Sequence, residues 1–169
     1  MSTAPRPGRT AGPVDSDVDL KVSAQRHESA WDPAVLGTIA AGGVIGAEAR
    51  YGMSVWLPHR AGQWPGATWL VNTSGCFLIG VLMVVITELA AAHRLVRPFL
   101  GVGILGGYTT FSTAMVDVQQ LALAGRGGPA LGYLAATVLA ALAATFLGAT
   151  LTRGAAAVGL RRKRQGQRS

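Results

Sequence analysis

Four long apolar stretches mark the chain, at residues 33–56, 66–87, 98–123 and 129–151, with short joints at 58–65, 91–97 and 125–128 between them. A helix of about 20 residues crosses a hydrocarbon core of roughly 30 Å, so each stretch is long enough to span a bilayer. The second carries no charge, the first holds Glu48 and Arg50 in its second half, and the third contains Asp117. The pattern predicts an all-α membrane protein with four transmembrane helices over residues 33–152. Residues 1–32 hold prolines, glycines and the alternating Asp15, Asp17 and Asp19 but no periodic apolar run. They are expected to form a disordered arm, and residues 153–169 a basic cytoplasmic tail.

Composition agrees with that class. Of 169 residues, 50% are hydrophobic and 14% charged, against roughly 25% charged in ordinary soluble domains. The 23 glycines and four tryptophans suit spanning helices and membrane interfaces. The net charge of +7 raises the question of nucleic acid. Much of the excess, however, is the cluster Arg161, Arg162, Lys163, Arg164 and Arg168, which follows an apolar span. A basic end of that kind marks a cytoplasmic face and meets membrane lipid, so no nucleic-acid partner is expected. Four spans put both termini on one side. Arg26, Arg94, Arg97 and the tail outweigh Arg50, Arg60 and Arg126 on the other, which places the termini mainly in the cytoplasm of a protein of the inner (plasma) membrane.

Enzyme chemistry finds no support. Cys76 is the single cysteine, His27, His59 and His93 are spaced for no metal site, and residues 124–128 lack a Walker lysine. Glu48 is expected at the membrane interface.

The unusual segment is 101–113, GVGILGGYTTFST, where four glycines precede four hydroxyl residues inside an apolar span. Paired glycine weakens a helix and hydroxyls compete for its backbone bonds. The segment is either a break near the middle of the third helix, with its polar groups covered by protein or water, or a continuous packing helix with back-bonded hydroxyls. Arg50 suits an anion vestibule or a clamp on carbonyls at a helix end. Thr68 and Asn72 share a face of the second helix, as pore lining or as a helix–helix hydrogen bond. Tyr133 and Thr137 repeat that spacing in the fourth, and Asp117 either lines a vestibule or caps nearby donors. Gly42 with Gly46, and Gly103 with Gly107, make small-xxx-small pairs suited to close helix contacts within or between subunits.

Three motifs in successive spans carry a resemblance: GGVIGAEARY at 42–51, PGATWLVNTSGCFLIG at 65–80 and GILGGYTTFST at 103–113. In these the chain resembles the CrcB/Fluc family of fluoride channels. The resemblance implies a dimer of four-helix subunits set antiparallel in the membrane, with two narrow fluoride paths along the interface. A structural sodium ion, not transported, would be held by the main-chain carbonyls of Gly106 and Thr109. Phe111 matches one of the phenylalanines beside each pore, Asn72 the pore-side asparagine and Arg50 the vestibule arginine. Thr68, Ser112 and Thr113 would add hydroxyls, and Tyr133 and Thr137 resemble the start of a polar track. Asp117 joins them as a vestibule candidate. The implied function is passive, fluoride-selective exit of the ion from the cytoplasm, which reduces its toxicity.

Two positions depart from the pattern. Ala114 stands where a second phenylalanine belongs, and Ala141 where the polar track continues. With the orientation bias, this leaves two arrangements: an antiparallel homodimer, or a heterodimer with an oppositely oriented homologue that completes the pore. The rival functions are a proton-coupled small-molecule exporter using Glu48, and a non-conducting membrane assembly subunit.

Overall fold

The computed structural model describes residues 32–89 and 94–166. The arm expected at 1–32 lies outside these residues apart from Asp32, and so do residues 167–169 of the expected tail.

The first helix, α1 (Pro33–Trp56), begins at a side-chain cap. Asp32 has an extended backbone and accepts from Ala34 N at 2.9 Å, and Pro33 supplies a preset φ at the first position. The next, α2 (Gly66–Val84), continues into a wider π-helical turn, Val85–Leu89. Helix α3 is a π-helical stretch, Arg97–Leu105, that runs into the short α-helical turn Gly106–Tyr108. After two extended residues α4 (Phe111–Leu123) follows, so the third apolar stretch is one bent element made of α3 and α4. Helix α4 stops at Gly125, whose φ of 75° favours glycine, while Arg126 N reaches back to Leu121 O at 3.0 Å. The last helix, α5 (Gly127–Gly166), continues well past residue 151 through the stretch expected to be a tail.

These elements form an up-down-up-down helical bundle. Side-chain contacts pin its two ends: Asp32 with Arg94 and Glu88 with Arg153 at one, Arg126 with Gly62 O at the other. Among the described residues three helices are long and apolar enough to cross a membrane, Gly66–Glu88, Arg97–Leu123 and Gly127–Val158. This makes the chain a multi-pass membrane protein. The expectation of four such spans is therefore met by three. Helix α1 has the length but not the apolarity, because its glycines, Glu48 and Arg50 dilute it.

Glycine seams set the helix spacing. A methyl on Gly42 would lie 2.6 Å from Phe99 O, and one on Gly107 2.5 Å from Gly43 O. A methyl on Gly46 would collide with Ile104 O. The two small-xxx-small pairs thus face each other across α1 and α3 inside one subunit. Gly80 and Gly148 make the matching seam between α2 and α5, against Thr145 O and Phe77 O. Close backbone approach replaces the large interlocking side chains of a soluble core.

Candidate functional site

The site is built around the bend. Thr109 (φ −77°, ψ 155°) and Thr110 (φ −151°, ψ 116°) are both extended, which ends α3 and starts α4. In an unbroken helix the Thr110 N–H would pair with Gly106 O. Here it donates to Asn72 Oδ1 at 2.8 Å, and Asn72 Nδ2 donates to Thr110 O at 2.9 Å. The side-chain amide of α2 acts as a substitute peptide group, and at 8% exposure it does so away from water. Thr109 Oγ1 donates to Leu105 O at 2.9 Å, and its methyl rests on Gly75, where a side chain would not fit. Thr110 caps α4, accepting from Thr113 N at 3.2 Å and donating to Thr113 Oγ1 at 2.9 Å.

Beside the bend lies an open pocket of about 270 Å³. Arg50, Tyr51, Ser54, Thr68, Thr110 and Thr113 give it polar groups, and Ala47, Ala67 and Val71 complete the walls. Arg50 reaches towards Thr109 O at 3.4 Å, a long contact that leaves most of its five donors without a partner among the described residues. Three of the expected residues, Arg50, Thr68 and Thr113, thus share one cavity, with Asn72 one turn behind Thr68. Tyr51 and Ser54 were not singled out from the sequence, and Thr110 was read only as one of the four hydroxyls of the 101–113 run. Ser54 was open to discovery, because it follows Arg50 by four residues on the same helix face.

Other expected residues sit elsewhere. Phe111, 72% exposed, and Ser112 face outward from the start of α4. Asp117 is buried one turn beyond Thr113, with His59 Nε2 3.4 Å from its Oδ1. Tyr133 is fully buried, its ring meeting the Trp64 ring edge-on at 5.2 Å. Thr137 donates to Tyr133 O at 2.8 Å within α5. Past Ala141, Thr145 donates to Ala141 O at 2.9 Å and to Cys76 O at 3.2 Å. Ala114 is fully buried in a cluster with Leu121, Ala130 and Tyr133. Glu48 is exposed and does not line the pocket.

The bend also bears on a cation. Among the described residues no group of three or more His, Cys, Asp or Glu side chains is placed to hold a metal. The carbonyls of Gly106 and Thr109 are a different kind of donor. Diverting Thr110 N–H to Asn72 takes Gly106 O away from its helical partner, and Gly106 lies exposed. Such hard main-chain oxygens fit sodium, although two from one chain fill only part of its coordination shell.

Comparison with known proteins bears on the identity of this arrangement. Residues 37–149 match the family model described as CrcB-like protein, Camphor Resistance (CrcB). The chain is 52% identical over 134 residues to the fluoride-specific ion channel FluC 2 of Nocardia farcinica, covering 79% of this chain and 96% of that one. It is 49% identical over 153 residues to the fluoride-specific ion channel FluC 1 of Streptomyces coelicolor, covering 89% and 94%. A relative in Chloroflexus aurantiacus, also a fluoride-specific ion channel, is 40% identical over 68% of this chain and 92% of its own. With the matched region running from α1 through the bend and most of α5, the chain belongs to the CrcB family.

Proposed function

We propose that the chain is one subunit of a fluoride-selective channel through which cytoplasmic fluoride leaves passively down its electrochemical gradient. The relatives named above carry that activity, and the observation that supports it here is the donor-lined pocket at the bend. Fluoride is small and strongly hydrated, so a path through a membrane must replace its water with hydrogen-bond donors. Arg50 and the hydroxyls of Thr68, Thr110 and Thr113 gather such donors in one place. The exposed Phe111 ring can turn its electropositive edge to an anion. Glu48, which a proton-coupled exporter would need inside its cavity, lies on the outside of α1.

The assembly is a dimer, with α1 serving as a fourth span inside it. Gly106, Phe111, Ser112 and Thr113 are exposed at the bend. Polar backbone and hydroxyls at membrane depth do not face lipid, so a second subunit covers them. An antiparallel arrangement brings two bends together, and the Gly106 and Thr109 carbonyls of both subunits then surround a structural sodium ion. Its positive charge offsets the repulsion among converging carbonyl dipoles. The partner is either a second copy or an oppositely oriented homologue. The termini lie mainly on the cytoplasmic side of the inner (plasma) membrane, as the arginine distribution favours.

Fluoride efflux from proteoliposomes tests this reading, with the purified subunit alone, the subunit co-expressed with a homologue, and chloride-loaded vesicles as the control. Fluoride-selective efflux from the subunit alone establishes the homodimer, and efflux only with the homologue establishes the heterodimer. A folded preparation that conducts fluoride in neither form overturns the proposal.

A further inference from the structure

Helix α5 outruns the rest of the bundle. At one end of the α2–α5 pair the Trp64 and Tyr133 rings meet, and at the other Arg153 grips Glu88 through contacts of 2.7, 2.9 and 3.1 Å. Tyr133 and Arg153 stand about 30 Å apart along α5, the thickness of a hydrocarbon core. Past Arg153 the helix continues to Gly166, with Ala155, Ala157 and Val158 exposed. Positions 161–164, Arg-Arg-Lys-Arg, therefore stand about 12–17 Å beyond the ion pair. Cations suit the C-terminal end of a helix, but adjacent like charges repel and draw a counter-charge.

The chain holds eight acidic residues from which that counter-charge can come. Asp32 is paired with Arg94 and Glu88 with Arg153, while Asp117 is buried beside His59. Glu48 is exposed in the second half of α1, away from this end. The other four, Asp15, Asp17, Asp19 and Glu28, belong to the arm, and the three aspartates follow one another at every second position with no basic residue among them. The arm enters α1 at Asp32, at the same end of the bundle as Arg153. From Asp19 to Asp32 the chain can span up to about 45 Å. The cluster's rise of about 12–17 Å and one or two helix spacings of about 8–10 Å lie within that reach. Anionic lipid is the less suited partner, since its attraction fades within a Debye length of about 8–10 Å of the surface.

We propose that the aspartates at 15, 17 and 19 dock on the basic run at 161–164 of the same chain. Helix α1 packs on α3, and α5 packs on α2 and α4, so the arm then crosses the end of the bundle to reach the far helix. The tether holds the acidic segment near its target at millimolar effective concentration, which lets weak exposed ion pairs act together. The docked arm neutralises the basic run and keeps it from other anionic partners.

The test is oxidative cross-linking of the full chain in neutral detergent, with Ser16→Cys among the aspartates and Gln165→Cys beside the basic run. Cys76→Ser removes the native thiol and keeps the main-chain oxygen that accepts from Thr145. The intrachain disulfide is expected to form about tenfold faster than when Asp15, Asp17 and Asp19 are all changed to Asn, in keeping with three exposed ion pairs. Salt at about 1 M should erase the difference, because the Debye length falls to about 3 Å. Changing the aspartates to Lys and residues 161–164 to Glu should restore the fast rate. Equal rates with and without the aspartates overturn the docking. So does a disulfide between separate chains when singly substituted proteins are mixed, which gives the site to a second copy. In vesicles containing phosphatidylglycerol, a rate that falls to the triple-Asn level gives the basic run to the membrane and also overturns it. Should the cysteine variants not fold, a protease that cuts before aspartate decides. It should cleave residues 15–19 about tenfold faster once Arg161, Arg162, Lys163 and Arg164 are changed to Gln, and unchanged cleavage overturns the docking.

Discussion

Asn72 and Thr110 are joined by two hydrogen bonds, of 2.8 and 2.9 Å, in which a side-chain amide takes both main-chain groups of one extended residue. The geometry needs one donor and one acceptor at a fixed separation, which asparagine supplies and no isostere does. Replacing Asn72 by Leu leaves a buried N–H and a buried C=O without partners, at about 1–3 kcal/mol each. We expect Asn72→Leu to lower the unfolding midpoint in detergent and to abolish fluoride efflux. Asn72→Asp keeps the bond from Thr110 N but sets an anionic oxygen against Thr110 O, so it should be as damaging. An Asn72→Leu protein with wild-type stability and flux would show that the bend holds itself.

The facing glycines of α1 and α3 make a second prediction. A methyl on Gly46 collides with Ile104 O and comes within 2.7 Å of Tyr108 N, and both are backbone atoms that cannot swing aside. Gly46→Ala should therefore separate the helices and cost about 1–3 kcal/mol, the usual range for overpacking. Gly37→Ala, at a position with nothing within 4 Å, is the control. There alanine should be neutral or stabilising by up to about 1 kcal/mol through helix propensity. Unfolding of the two variants in the same detergent tests the contrast, and equal midpoints would refute it.

Acid should loosen the end of the bundle where Asp32 lies. Hydrogen bonding from Arg94, then from Ala34 N, holds the Asp32 carboxyl below the usual carboxylate range. A depressed pKa means that the folded state favours the charged form. The contribution is thus complete above the unfolded value of about 3.9 and is lost as the pH falls through the lower folded value. Asp32→Asn should lower the thermal midpoint at pH 7 and make little difference once the pH has fallen below the lowered folded value, where the wild type has lost the same charge. A deficit that persists unchanged into acid would show that the charge of Asp32 is not what stabilises this end.

Local features of this fold were legible in the sequence, and contacts between distant segments were not. The first apolar stretch was placed from Pro33 where α1 begins, and the glycine–hydroxyl run at 101–113 offered the bend as one of two readings, because each acts through its own backbone. The small-xxx-small pairs were visible too, but only the folded chain shows that Gly42 and Gly46 meet the α3 strip that holds Gly103 and Gly107. For Asn72 the sequence left pore lining and helix–helix bonding open. In the structure the Asn72 amide bonds both main-chain groups of Thr110, with the pocket one turn away. The contact of His59 with Asp117 joins residues far apart in the chain and had no local signal. Nor did the continuation of α5 to Gly166, since basic residues end an apolar run without ending a helix.

The last prediction concerns Ala114, which departs from the family pattern. Its side chain is fully buried among Leu121, Ala130 and Tyr133, with Trp69, Met115 and Val118 packed around that cluster. The neighbouring ring belongs to Tyr133, held edge-on by Trp64. Restoring phenylalanine therefore does not fill a vacancy: the new ring must displace Tyr133 or push α4 away from α5, at about 1–3 kcal/mol or more. Ala114→Phe should lower the unfolding midpoint and, by moving α4, reduce flux rather than raise it. Adding Tyr133→Ala to Ala114→Phe vacates the space and should return part of the lost stability, a coupling expected only of residues in contact. Should Ala114→Phe alone raise fluoride efflux with no loss of stability, the alanine would be a missing pore ring after all, and the subunit's own core would have room for it.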